Sequence, residues 1–296
     1  MKLATLIGFS AILMWSLLAL LTTASGTVPP FQLTAMTFTI GSLLGAVSWL
    51  WRPNALKSLK QPWPVWTLGI CGLFGYHFLY FTALRNAPAV EASLIAYLWP
   101  LLIVTGSALM PGEHLRWHHI AGTLLGLAGT VLIITKGGGF SFDARYSFGY
   151  LMAALCALTW AGYSLLSRRF SAVPTDTVTG FCIGTALLSL LCHIVLEETT
   201  WPQSSAQWAA IAALGLLPVG AAFYAWDFGV KRGNIQALGA ASYAAPLLST
   251  FILILFGMAQ ASLQIIAACL LITCGALLAS KDMLRTKQTG QSTPEN

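Results

Sequence analysis

Trp15, Tyr97, Trp99, Trp160 and Tyr243 carry large rings with a polar atom, and each stands inside a long apolar run. A buried indole N–H or phenol needs a hydrogen-bond partner. Such residues suit a cavity that stacks on a flat or apolar molecule and holds it with a few polar contacts. Helical spacing adds to the set. Tyr76 and Tyr80 lie four residues apart on one face, with His77 bordering it, and Tyr163 and Ser164 lie one turn beyond Trp160. With Ser242 beside Tyr243, the predicted substrate-binding residues are Trp15, His77, Tyr80, Tyr97, Trp99, Trp160, Tyr163, Ser242 and Tyr243. The bland alternatives are plain packing for the deep tryptophans and a hydrogen-bonded packing role for His77. Trp49, Trp51, Trp63, Trp66, Trp117, Trp201 and Trp208 stand near the ends of runs and read as an interfacial belt.

Ionisable groups are few. Glu91 lies in the first turns of a helix that Asn86 or a neighbour caps and Pro88 begins, where the dipole already favours an anion. That structural role and proton coupling both stay open for Glu91. Asp227 reads as a rim charge beside Lys231. His114, His118 and His119 in EHLRWHH have metal-compatible spacing but no cysteine or second acid beside them, and Gly137-Gly138-Gly139 lacks the Gly-Lys-Ser/Thr of a phosphate loop. No cofactor and no metal is expected. The six cysteines all fall inside apolar runs and read as small packing residues.

The elements that must position these side chains are membrane helices. The chain of 296 residues is 57% hydrophobic and 8% charged, against about 25% charged in an average soluble protein. Ten apolar runs approach the roughly 20 residues that cross a bilayer: 3–24, 31–51, 64–84, 90–110, 118–135, 149–168, 175–196, 207–228, 234–256 and 262–280. A cleaved signal peptide is the alternative for the first run, which has a repeat counterpart that cannot be one. The short spacers leave no room for a soluble domain, and residues 282–296 read as a disordered tail. With the N-terminus inside, twelve Lys and Arg fall on the cytoplasmic side, and only Arg85, Lys136 and Arg145 fall outside. That asymmetry predicts N-in, C-in topology. It also accounts for the net charge of +6 without nucleic acid.

The two halves resemble one another. At an offset of 146 residues, Arg85 meets Lys231, Tyr97 meets Tyr243, Pro100 meets Pro246, and Gly129 meets Gly275; Trp15 meets Trp160 at 145. Five spans per half force the second copy to enter the membrane upside down. The expected fold is therefore an all-α integral membrane protein, with ten transmembrane helices as two inverted five-helix repeats, approximately 1–136 and 148–281. Inverted repeats are a mark of secondary transporters, whose substrate site lies between the halves. Proline lacks the amide hydrogen, so Pro100 and Pro246 free the carbonyls of Ala96 and Ser242 and make matched hinge candidates. A static packing kink is the alternative.

The pattern resembles the EamA branch of the drug/metabolite transporter superfamily. The resemblance covers nearly the whole chain up to residue 280. It is carried by ATLIG (4–8) with Trp15-Ser16, Glu91 followed by Tyr97-Leu98-Trp99-Pro100, Trp160-Ala161, and AWDFGVKRGN (225–234) leading to Ser242-Tyr243 and Pro246. It implies export of amino acids, aromatic ones included, through an alternating-access cavity in the bacterial inner membrane; whether the Gly122–Gly126–Gly129 face packs internally or against a second copy leaves monomer and homodimer both open. It also places Trp15, Tyr97, Trp99, Trp160 and Tyr243 at matched positions. Two other functions stay open. A carrier of sugar phosphates or nucleotide sugars would need deep Lys or Arg, and an intramembrane enzyme would need His77 and Glu91 within hydrogen-bond reach.

Overall fold

The computed structural model describes residues 2–279 and Lys281; the tail 282–296, expected to be disordered, lies outside the described residues. Among the described residues every regular element is helical. Nine helices are long and apolar enough to cross a membrane: α1 (Lys2–Ala24), α2 (Pro30–Ser48), α3 (Trp63–Asn86), α4 (Ala89–Leu109), α5 (Trp117–Thr135), α6 (Ala144–Arg169), α7 (Thr175–Leu196), α8 (Ser205–Arg232) and α9 (Ile235–Leu255). A further apolar helix, α10 (Leu263–Ala279), has 17 residues and rises about 25 Å. Leu13, Leu43, Leu187, Ile194 and Leu270 point outward and are exposed, as a protein solvated by lipid requires.

Five of these helices are interrupted, and the interruptions have chemical causes. In α1 the turn breaks at Ser16 and Leu17, where the Ser16 hydroxyl donates back to the Leu13 carbonyl at 2.6 Å and loosens the ladder. α4 breaks at Tyr97 and Leu98 and α9 at Ser242 and Tyr243, each just before its proline. The carbonyl that Pro246 cannot serve is taken over by a tighter bond, Ala245 N–H to Ser242 O at 3.1 Å. α3 and α8 each widen into a π turn, Cys71–Gly75 and Leu217–Ala221. The α8 turn contains Pro218, whose missing N–H removes a regular rung.

α4 starts differently from the expectation. Pro88 itself occupies the N-cap without a side-chain cap, and Asn86 donates its amide to the Thr82 carbonyl at 2.8 Å instead.

Packing is reciprocal between the halves. α1 packs on the second half of α8, and α6 packs on the second half of α3; α2 lies on α7, α4 on α9, and α5 on α10. α1 and α8 cross at Gly8 and Gly229, where a methyl added to Gly229 would stand 2.6 Å from the Gly8 Cα. α3 and α6 cross at the fully buried Ala83 and Ala153. The glycine face of α5 is used internally. Gly122 meets the backbone of Gly275, Gly129 meets Ile272, and Gly126 lies against the Tyr243 ring.

Polar straps close each end of the bundle. At the end bearing most Lys and Arg, here the basic face, Arg168 donates to the Val230 and Gly233 carbonyls at 3.1 and 2.8 Å and pairs with Glu113. Arg52 pairs with Asp176 at 2.8 Å. At the opposite face Glu197 accepts from the Phe31 and Gln32 amides, at 3.0 and 3.1 Å, and pairs with Arg85 at 2.8 Å.

Candidate functional site

The helix interruptions converge. Trp15 ends the first segment of α1, Trp99 opens the second segment of α4, and Phe223 and Trp226 follow the π turn of α8. Trp160 comes from the unbroken α6, and Tyr76, His77 and Tyr80 follow the π turn of α3. Their rings meet. Trp15 lies 5.0 Å from Trp226, 5.7 Å from Trp160 and 6.3 Å from Trp99, centroid to centroid. Trp160 stacks on Trp226 at 6.2 Å and touches Tyr76 at 5.4 Å. His77 lies edge-on to Phe38 at 5.2 Å, and Phe38 stacks on Phe223 at 5.4 Å. Each edge or stacked contact adds about 0.5–1.5 kcal/mol beyond area burial, so the cluster is a rigid wall.

Hydrogen bonds fix the rings. The Trp15 indole donates to the Pro218 carbonyl at 3.1 Å, inside the widened turn of α8. Trp226 donates to Ser164 Oγ at 3.0 Å. His77 Nδ1 lies 2.7 Å from the Leu73 carbonyl, so it carries the proton there. In the neutral ring Nε2 is then left as an acceptor. The Tyr80 hydroxyl lies 3.3 Å from Ser93 Oγ, and its ring stacks on Tyr76 at 6.0 Å.

Burial grades along the bundle. Tyr76, His77, Tyr80 and Tyr97 are half-buried, whereas Trp99, Trp160 and Trp226 are buried beneath them. The wall is thus more open toward Arg85 and closed toward Lys231.

The nine predicted binding residues do not all meet. Trp15, His77, Trp99 and Trp160 belong to the cluster, Tyr80 adjoins it through Tyr76, and the Tyr163 ring lies 5.3 Å from Trp160. Tyr97 ends the first segment of α4, two residues before Trp99. Ser242 spends its hydroxyl on the Leu238 carbonyl at 2.7 Å, and Tyr243 packs against Gly126. Pro100 and Pro246 both follow helix breaks. One Glu91 carboxylate oxygen is buried without a hydrogen-bond partner.

Of the belt tryptophans, Trp51, Trp63, Trp117, Trp201 and Trp208 are exposed, but Trp66 turns inward against Phe181 at 5.7 Å. It abuts Gly180, which leaves room for an inward ring.

Trp226, Phe223 and Phe38 were not expected at the site. The repeat offset carries the signal for two of them, because 146 residues on from Tyr80 and His77 stand Trp226 and Phe223.

A surface of this kind can sandwich a planar or branched apolar group and offer isolated acceptors and hydroxyls to its polar end. Comparisons with known proteins agree with a transport role. The model of the EamA-like transporter family matches the chain twice, over residues 2–135 and 147–281. An aromatic amino acid exporter, YddG, of Ancylobacter novellus is 57% identical over 278 residues, covering 94% of this chain and 96% of the relative. The exporter of the same name in Salmonella typhimurium is 27% identical, covering 93% and 96%. A solved crystal structure superimposes with a TM-score of 0.92 at 55% identity, covering 97% of this chain and 99% of its own. On both counts, the doubled family match and the close relative, the protein belongs to the EamA-like transporter family.

Proposed function

We propose that the chain is a secondary transporter that exports amino acids, aromatic ones included, by alternating access between two inverted five-helix repeats with α10 as the tenth span. The basic face is cytoplasmic in this proposal, with both termini there, in a bacterial inner membrane. The positive-inside asymmetry supports the orientation. The reciprocal packing of α1 on α8 and α6 on α3 supports the inversion, as does the doubled family match.

The observation that carries the substrate class is the meeting of Trp15, Trp99, Trp160 and Trp226 from four different helices, three of them interrupted. In the proposed mode an aromatic side chain lies against Trp15, Trp99 and Trp160. His77 Nε2 accepts from the amino acid's ammonium group, Tyr80 and Tyr97 supply hydroxyls, and the Tyr163 ring backs Trp160. Ser242 and Tyr243 shape the break before Pro246, the partner of the break before Pro100, and these are the hinges. Phosphorylated cargo is disfavoured because Lys231, the deeply buried lysine, is already neutralised by Asp227 at 2.9 Å. The names of the relatives point the same way, toward amino acid export.

The test is exchange of labelled tryptophan, phenylalanine and leucine across proteoliposomes holding the purified chain. Transport of the aromatic pair at rates above protein-free vesicles is expected. Failure to move any amino acid would overturn the assignment.

A further inference from the structure

Asp227 follows Trp226 in α8 with a side chain only 1% exposed, and its partner Lys231 one turn later is 4% exposed. Lys231 Nζ lies 2.9 Å from each carboxylate oxygen, with hydrogen-bond geometry to Oδ2. Thr175, at the start of α7, donates to the same Oδ2 at 2.8 Å. Lys231 also donates to the Val173 carbonyl at 3.1 Å. The pair therefore straps α8 to the α6–α7 connection. Oδ1 of Asp227 has no hydrogen-bond partner, and neither has the buried hydroxyl of Tyr163. Both residues line one small crevice with Ser167, Phe181 and Lys231, which has room for about one water molecule and none for an amino acid.

Asp227 stands near the basic-face end of α8 but is buried in protein, where a carboxylate is costly unless paired and is a candidate proton site. The groups facing it leave little choice of ligand. Lys231 and Arg232 come from its own helix and Tyr163 from α6. α3 contributes Val65, Leu68 and Gly69 to the crevice, and α7 contributes Phe181. A metal cation beside an ammonium group and in so small a space is disfavoured. A proton is not.

We propose that Asp227 is the proton-binding site of an exchange coupled to export. This rests on the exporter reading above. A proton arriving from the far side through the Tyr163 hydroxyl binds Oδ1 and leaves a neutral carboxylic acid. Lys231 loses its counter-charge, and its bond to Oδ2 weakens. The strap from α8 to Val173 and Thr175 loosens, and the basic face opens. Water then reaches Asp227 and takes the proton, the ion pair re-forms, and an amino acid loaded from the basic side leaves on the other. One proton enters for each amino acid exported. Trp226 beside Asp227 and the Tyr163 ring 5.3 Å from Trp160 tie the site to the aromatic wall.

The test uses the full chain in liposomes enclosing a pH-sensitive dye. With a pH gradient, the unmodified protein should accumulate labelled phenylalanine several-fold above its level without one, and added phenylalanine should move protons. Asp227→Asn should lose both, while exchange at equal pH stays measurable. If that variant fails to fold, the double variant Asp227→Asn/Lys231→Met removes the pair without stranding a charge and should behave alike. The proposal is overturned if either folded variant still accumulates substrate as the unmodified protein does. It is equally overturned if both lose exchange along with accumulation, which marks a structural role. Indifference of the unmodified protein to the gradient, with exchange intact, rejects Asp227 coupling and leaves the exporter reading standing. Absence of all exchange by the unmodified protein rejects the exporter reading itself.

Discussion

The indole N–H of Trp15 donates to the carbonyl oxygen of Pro218 at 3.1 Å, joining the break in α1 to the widened turn of α8. Two irregular backbones are thus held in register by one side chain. Trp15→Phe keeps a ring but strands the Pro218 carbonyl, at a cost of ~1–3 kcal/mol. A lower melting temperature in detergent and slower exchange than the unmodified protein are expected. An unchanged melting temperature would show that the bond does not join the two helices.

Trp99→Ala should reduce aromatic amino acid exchange by roughly tenfold or more, which corresponds to about 1.4 kcal/mol. Trp201→Ala should leave it unchanged. Trp99 is buried in the cluster, whereas Trp201 is exposed and stacks only on Trp208. Equal losses in well-folded protein would count against a deep aromatic wall.

Glu197→Gln should destabilise by ~1–3 kcal/mol, because the carboxylate neutralises the N-terminal amides of α2 as well as Arg85. Arg85→Ala should cost under about 1 kcal/mol, since that side chain is 45% exposed. Thermal unfolding of the two variants side by side checks the ranking. A larger loss for Arg85→Ala would mean that the ion pair, and not the helix cap, holds this end together.

Gly229→Ala places a methyl 2.6 Å from the Gly8 Cα. Backbone cannot rotate away as a side chain can, and overpacking of this kind costs about 1–3 kcal/mol. A fall in melting temperature is expected. Ala83→Gly, at the matching crossing of α3 and α6, removes a methyl and should cost less. The reverse order would show that the two crossings do not bear load as drawn.

Much of this was legible in the chain, for identifiable reasons. Lipid solvation forces long apolar runs, so the helices could be read directly, and Pro100 and Pro246 marked the breaks of α4 and α9 by a missing amide. The break at Ser16 was hidden because a serine back-bond depends on rotamer, not residue type. The π turn of α3 contains no proline and leaves no mark of its own. Trp226 stands near the end of its apolar run, which hid its place in the cluster; the offset from Tyr80 carries the signal. Ser242 stands beside Tyr243 in the sequence, yet its hydroxyl turns to the Leu238 carbonyl. Glu197 as the cap of α2 joins residues 166 apart and has no local signature.

The two π turns, Cys71–Gly75 and Leu217–Ala221, set limits on insertions and deletions. Each holds one residue more than a regular turn needs, and one residue is about 100° of helical rotation. Deleting a single residue from either turn would let the helix close into an unbroken spiral while swinging everything beyond it. Tyr76, His77 and Tyr80 would leave the interior in one case, and Phe223 and Trp226 in the other. The surface loops of this chain can change length, but these two stretches of helix have a fixed residue count.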